Sequence, residues 1–368
     1  MILAVRLMSR TEMQKRNQSL DILRGVAVLM VLAFHFGLRA HVGWGRAGWA
    51  GVDLFFVLSG FLISGLLFRD YRETGQIHFA RFFWRRGFKI WPAFFCYMTL
   101  IALLILLIPI PEMWPGFRAA ATFTASYFRI DNYAFVHLWS LSVEEHFYLL
   151  LPLILLLLAK FRKSFDAIPV VFAAVATISL ASRFAVPNGD TAMASHMRMD
   201  SLFAGVLLRY LHDFKPSWFQ PLTKNWALAA AALFCSPLVL MTHTSRAMQT
   251  VGLSSLYIGF SFLIAWASVR SHPGILAKLM AGVGVSSYSI YLWHVITLSF
   301  FEHSHSGLVA VSYFAAAIGT GMLASYLFES PFLVLREKLI PNLAGKPNKE
   351  APPKTDVVRE VVVDVAAR

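Results

Sequence analysis

The stretch FFCYMTLIALLILLIPI (94–110) holds seventeen residues without a single charge. With its neighbours it is long enough to cross a hydrocarbon layer, for which ~20 apolar residues in helical form suffice. LLLPLILLLLAKF (149–161) and WALAAAALFCSPLVL (226–240) repeat the pattern. Across all 368 residues, 57% are hydrophobic and 14% charged, where a soluble domain carries about 25% charged residues. The short alternating segments of a membrane β-barrel are missing. The expected fold is therefore an all-α, polytopic transmembrane helical bundle of about ten spans, at 20–38, 51–69, 90–110, 141–160, 166–182, 199–213, 224–243, 251–268, 286–303 and 307–328. The opening MILAVRLMSR (1–10) is interrupted by Arg6 and too brief for a signal peptide, so the first span is expected to remain as a membrane helix. Cys96 and Cys235 both fall inside predicted spans, which suggests neither a disulfide framework nor a metal site.

The net charge of +13 is concentrated in particular connections, and topology accounts for it better than nucleic acid does. The amino-terminal tail has Arg6, Arg10, Lys15 and Arg16; the connection after span 2 has Arg69, Arg72, Arg81, Arg85, Arg86 and Lys89; that after span 4 has Lys160, Arg162 and Lys163. The opposite set holds only scattered arginines, among them Arg46, Arg118 and Arg246. By the positive-inside rule the amino terminus and the even-numbered connections are cytoplasmic, and ten spans return the carboxyl terminus inside. The organisation expected is a cytoplasmic tail (1–18), a membrane domain (19–335) and a flexible cytoplasmic tail (336–368) rich in polar residues, with Pro347, Pro352 and Pro353.

Polar residues inside the spans are costly and are read as functional. SLDILRGVAVLMVLAFHFG (19–37) places Arg24 and His35 eleven residues apart, about 16 Å of rise and nearly three whole turns, so both side chains look the same way at different depths. The plain alternative is that Arg24 snorkels to headgroups and His35 packs in the bundle. GVDLFFVLSGFLISGLLF (51–68) carries Asp53 near its outer end, suited either to orienting a histidine or to capping its helix. In FARFFWRRGFKIWPAF (79–94), Arg85, Arg86 and Lys89 are either inside-facing topology charges or a clamp for phosphates. HLWSLSVEEHFYLLLP (137–152) brings Trp139, Glu144, Glu145 and Tyr148 to the entry of span 4, with Glu144 and Tyr148 on one face. Two adjacent carboxylates beside an apolar run cannot both face lipid, so one is expected to face a cavity. YSIYLWHVITL (288–298) puts His294 inside span 9.

Taken together, these blocks resemble the acyltransferase-3 family of integral membrane O-acyltransferases over about residues 17–335. SLDILRGVAVLMVLAFHF is similar to the family's opening block, GVDLFFVLSGFLISG to its second, HLWSLSVEEHFYLLLP to its tryptophan–glutamate block and YSIYLWH to its late histidine block. The resemblance implies Arg24 and His35 as functional arginine and histidine, Asp53 and Glu144 as acidic site residues, Trp139, Tyr148 and His294 as further candidates, and Arg85, Arg86 and Lys89 as the basic block. One departure stands out: the family usually has a third arginine where this chain has Lys89, which keeps the charge and loses the planar fork. Some members carry a carboxyl-terminal extracytoplasmic domain that receives the acyl group; the tail here has no room for one, so direct transfer to the final acceptor is expected.

The implied chemistry uses acyl-coenzyme A, commonly acetyl, as co-substrate held from the cytoplasmic side, with no tightly bound cofactor and no metal. Arg24, Arg85, Arg86 and Lys89 would hold its phosphates, and His35 would deprotonate a hydroxyl of a carbohydrate, glycolipid or small acceptor, supported by Asp53 or Glu144. The expected location is the bacterial inner membrane, with lipids as neighbours and no nucleic-acid partner. The rival reading is a multi-span transporter, since buried charges suit a substrate or proton pathway equally; it lacks the repeated halves with matching broken helices that many transporters show. The charge asymmetry gives a direct test of sidedness. In a chain freed of Cys96 and Cys235, a cysteine at Gly75 is expected to resist a membrane-impermeant maleimide in intact cells, and one at Gly43 to react. Labelling of position 75 from outside reverses the orientation.

Overall fold

The computed structural model of the protein describes residues 17–39, 45–108, 111–130, 132–162, 165–186, 192–301 and 306–341. Most of both expected tails therefore lies outside the described residues, as does Gly43. The longer helices are α1 (Gln18–Arg39), α2 (Gly51–Thr74), α3 (Phe79–Leu107), α4 (Met113–Ala121), α5 (Trp139–Arg162), α6 (Ile168–Ala185), α7 (Ser195–Phe214), α8 (Trp226–Cys235), α9 (Leu253–Ser268), α10 (Ile275–Val285), α11 (Ser287–Leu298), α12 (Gly307–Ala324) and α13 (Ser330–Leu339). No strand occurs among the described residues. Among the described residues seven helical segments are long and apolar enough to cross a membrane, and up to nine if each of two bent helix pairs is one span. Large apolar side chains such as Leu106, Leu157, Val170, Leu308 and Val311 are exposed on these helices, as expected where the solvent is hydrocarbon. The chain is an all-helical integral membrane protein.

Three segments differ from their expected form, each for a physical reason. The basic block read as a connection is the amino-terminal part of α3, which continues through Pro92. At ~1.5 Å per residue its 29 residues extend about 43 Å, so the charged turns can stay helical beyond a ~30 Å apolar layer. The ninth expected span is the second arm of a pair, α10 and α11, bent by 75°; α10 has only 11 residues and falls below the length that a hydropathy reading recognises. The sixth, expected at 199–213, forms as the unbroken 20-residue helix α7. Its charges keep it out of the apolar class, yet it is among the most buried helices, packed against α2 and α6. The expected boundary at 336 falls inside α13.

Two close crossings set the frame. At α2 against α7, a Cβ on Gly60 would stand 1.9 Å from the Leu202 carbonyl oxygen, and one on Gly205 2.1 Å from that of Val57. At α1 against α10, a Cβ on Gly284 would stand 1.7 Å from the Asp21 carbonyl oxygen. Small residues are the usual means by which membrane helices bring backbones together, since apolar side chains gain little by leaving lipid for protein. Gly60→Ala and Gly284→Ala are expected to lower the thermal midpoint of the detergent-solubilised protein, at a cost of about 1–3 kcal/mol each from overpacking. Gly319→Ala, which meets open space, serves as the control. Unchanged midpoints for the first two would refute the backbone contact.

Candidate active site

A cleft of about 550 Å³, counting the space where it opens to solvent, lies between α1, α2, α3, α5 and α11. Arg24, Arg86 and Lys89 line it together with Glu144, and its walls mix hydroxyls (Ser59, Ser140, Tyr288, Tyr291) with apolar side chains (Val52, Phe55, Phe56, Leu141). Three of the four cations expected to share a site thus do so. The fourth does not. Arg85 turns to α13, where it donates to Glu337 Oε1 at 2.7 Å and Oε2 at 3.2 Å and to the Ile340 carbonyl. Arg85 and Arg86 are 100° apart around α3, so adjacent arginines cannot aim at one point.

Two of the lining cations, Arg86 and Lys89, are held by partners from other segments. Arg86 donates to the Tyr148 hydroxyl, and its guanidinium carbon lies 4.3 Å from the centre of that ring. The Tyr148 hydroxyl donates to Glu144 Oε2 at 2.7 Å, and Ser59 donates to Oε1 at 2.7 Å. The chain Arg86–Tyr148–Glu144–Ser59 therefore ties α3 to α5 and α2, with Glu144 as the carboxylate that faces the cleft. Lys89 Nζ donates to Glu329 Oε1 at 2.6 Å, while Ser289 and Ser325 donate to Oε2 at 3.0 and 3.2 Å. Glu329 ends a π-helical turn, Ser325–Glu329, between α12 and α13, the kind of irregularity that often marks a functional site. The sequence reading overlooked it, although a lone glutamate in SYLFESPF (325–332) carries the signal of an intramembrane charge.

Asp53 and Trp139 belong to a different cluster. Asp53 is fully buried and accepts from Arg198 at 2.7 Å. The Arg198 guanidinium lies 5.4 Å from the Trp139 ring centre and 5.8 Å from that of Phe56. Beside it, Arg183 of α6 pairs with Asp200 at 2.7 Å and donates to the Met197 carbonyl and Ser254 hydroxyl. Two acids and two arginines thus join α2, α6 and α7 with their charges balanced. Among the described residues no hydrogen bond joins His35 to Asp53 or Glu144, the two acids expected as its support. Among the described residues, Asp53 is committed to Arg198 and Glu144 to Ser59 and Tyr148.

His35 finds other company. Its Nδ1 lies 3.0 Å from the Val31 carbonyl oxygen and 3.3 Å from His294 Nε2, and the two rings are 4.8 Å apart. His294 is fully buried, and its Nδ1 is 2.5 Å from the Tyr291 carbonyl oxygen. His137, absent from the expected site, lies 5.4 Å from His294 between ring centres. Tyr291 links this histidine group to the cleft: it lines the cleft, its ring is 5.7 Å from His294, and its hydroxyl bonds Ser140 at 2.6 Å and the His137 carbonyl at 2.7 Å. The cations thus line a cleft that the histidine pair does not itself line but reaches through Tyr291. This is a layout for binding an anionic ligand and moving a proton near it.

The Asp53–Arg198 pair has a measurable consequence. Removing either partner leaves the other charged and buried, at a cost of roughly 3–5 kcal/mol. Asp53→Ala and Arg198→Ala are each expected to lower the unfolding midpoint sharply, and the double variant to lose less than the two losses added. Strict additivity would show that the two groups do not act on each other.

The sequence model of the family described as Acyltransferase domain matches residues 17–330. Among similar curated proteins, one from Staphylococcus aureus (strain COL), provisionally named an O-acetyltransferase, is 29% identical over 351 residues, covering 85% of this chain and 56% of the relative. The peptidoglycan O-acetyltransferase OatA of Listeria monocytogenes is 27% identical over 329 residues, covering 79% and 51%. The O-acetyltransferase OatA of Staphylococcus aureus (strain MRSA252) is 27% identical over 379 residues, covering 94% and 60%. The chain spans between half and two thirds of the length of these relatives. No solved structure matches it. With a match running from the start of α1 to the start of α13, the chain belongs to the acyltransferase-3 family of integral membrane proteins.

Proposed function

We propose that the protein is a membrane O-acyltransferase that moves an acyl group, acetyl by preference, from acyl-coenzyme A to a hydroxyl of a carbohydrate or similar acceptor. The observation that carries this reading is the cleft itself, lined by Arg24, Arg86 and Lys89 and by Tyr291, beside which the histidine pair stands. The cations suit the phosphates of the donor, which guanidinium groups grip bidentately. The mixed walls suit an extended arm with alternating amide and apolar groups. Eleven residues of α1, about 16 Å of rise, separate Arg24 from His35, and this lets one elongated donor meet both. The bacterial inner membrane, with both termini cytoplasmic, fits the charge asymmetry. The names of the relatives supply the acetyl group and, for one of them, peptidoglycan as acceptor.

In this reaction His35 acts as general base. Its imidazole takes the proton of the acceptor hydroxyl as the oxygen attacks the thioester carbonyl; the carbon–sulfur bond breaks, and the proton passes to the leaving thiolate. Glu144, held by Ser59 and Tyr148, orients the Arg86–Tyr148 wall. Lys89 contributes its charge while held by Glu329.

Two variants separate the binding and transfer roles. Arg86→Ala is expected to weaken acetyl-coenzyme A binding about 10–150-fold, the loss of a hydrogen bond to a charged group, by calorimetric titration of the solubilised protein. His35→Ala is expected to bind donor as the parent does, while coenzyme A release by membranes containing the native acceptor falls at least ~10²-fold. Parental donor affinity in Arg86→Ala would move the phosphate site elsewhere. Parental release by His35→Ala would end the general-base assignment, and transport without coenzyme A release by the parent would favour the rival class.

A further inference from the structure

A general base must present a lone pair to its substrate, and a neutral imidazole has only one. Two backbone carbonyls fix where the protons of the histidine pair reside, because a carbonyl oxygen accepts and never donates. His294 Nδ1 faces the Tyr291 carbonyl at 2.5 Å, so it carries the proton of the neutral ring and Nε2 holds the lone pair. His35 Nδ1 faces the Val31 carbonyl at 3.0 Å, so it too carries the proton. The 3.3 Å contact between His35 Nδ1 and His294 Nε2 then joins a donor to an acceptor. The proton is shared between Val31 and His294, and His35 Nε2 is left with its lone pair.

We infer that His294 is a positioning residue of His35, sharing its Nδ1–H with the Val31 carbonyl and so holding the ring with Nε2 available as base. The inference rests on the reading of His35 as the base and adds to it a side chain that holds that base in place. In a serine–histidine–aspartate triad a carboxylate occupies the equivalent place. Here the nearby acids are committed to other partners, Asp53 to Arg198 and Glu144 to Ser59 and Tyr148, and a neutral ring does the same task without a further buried charge. His294 is held firmly enough for it. It is fully buried, its Nδ1 is tied to Tyr291, and Tyr291 is tied in turn to Ser140 and the His137 carbonyl. The titratable groups facing the pair are His137, whose Nε2 is 3.2 Å from the Leu292 carbonyl, and Tyr291. As His35 Nε2 gains the acceptor's proton, the Nδ1–H becomes a stronger donor and the bond to His294 tightens, so the partner favours the charged form just when it appears. The proton leaves Nε2 for the thiolate, and the pair returns to its starting tautomers.

The tautomer is directly observable by nitrogen NMR of the full chain in nanodiscs with ring-¹⁵N histidine, His35 being assigned by the signals lost in His35→Ala. The parent is expected to show His35 protonated at Nδ1 and bare at Nε2. In His294→Phe only the Val31 carbonyl remains to take the Nδ1–H, so the share of the Nε2–H tautomer of His35 is expected to rise, and coenzyme A release by membranes to fall roughly 10²-fold with acetyl-coenzyme A affinity unchanged. His294→Gln, whose amide oxygen can accept the same N–H, is expected to stay within about tenfold of the parent rate. A His35 proton on Nε2 in the parent would overturn the inference, and so would parental release by His294→Phe. If His294→Phe fails to fold, the parental tautomer and the glutamine variant decide the matter. Full activity of His35→Ala would instead defeat the general-base reading, leaving the observed tautomer as a structural fact.

Discussion

A charge carried into the bundle must meet a partner there, because neither lipid nor apolar side chains will solvate it. The partners come from different helices, so each pairing also fixes how two helices stand against one another. Asp53–Arg198 joins α2 to α7, Arg183–Asp200 joins α6 to α7, and Lys89–Glu329 joins α3 to the π-helical turn ahead of α13. Arg86, Tyr148, Glu144 and Ser59 tie α3, α5 and α2 in one line. Apolar contact alone gives little preference for one arrangement over another when lipid is as apolar as the protein interior. Register and depth are set by the polar links, and the glycine crossings at α2/α7 and α1/α10 let the backbones come close enough to make them.

The cleft is a consequence of the same pairing. Glu144 and Glu329 draw Arg86 and Lys89 to one wall and hold them there, so the cations face a shared space without closing it. At another wall, the Ser140 and Tyr291 hydroxyls bond each other and the His137 carbonyl, which leaves the histidine pair adjacent to the space without exposing His294. Strong charge and neutral imidazole are thereby kept apart within one enclosure. A charged group beside His35 would bias its protonation; the acids of the neighbourhood are instead spent on arginines, lysine and tyrosine.

The local pattern of the chain carried much of this. Apolar runs reveal the helices, and the pairing of Glu144 with Tyr148 follows from their spacing of one turn. Arg24, Arg85, Arg86 and Lys89 were grouped by the family resemblance, and three of the four line the cleft. What the sequence could not reveal are partnerships between residues far apart in the chain. Asp53 and Arg198 are 145 positions apart, Lys89 and Glu329 240, and His35 and His294 259. Asp53 was therefore weighed as a helix cap or, with Glu144, as a support for His35, while the arginine that pairs with it sits on another helix. Arg85 was grouped with Arg86 by adjacency, although a step of 100° around a helix sends neighbours to different faces. The bend between α10 and α11 escaped notice because each arm alone is shorter than a span.

Those long-range partnerships also explain why the acids in the family-like blocks need not be chemical groups. Asp53, at 0% exposure, faces Arg198 through one carboxylate oxygen as a structural tie, and its loss would disturb α2 and α7. The histidines stand differently. Neither His35 nor His294 is needed to neutralise a buried charge, and their mutual contact joins α1 to α11 by one weak 3.3 Å bond, a poor device for holding helices together beside the glycine-lined packing of α1 on α10. What the contact does supply is a defined proton position on His35 next to a cleft lined with cations. Stability is thus vested in the acid–base pairs and the glycine crossings, which leaves the imidazole pair free for the proton transfer proposed for it.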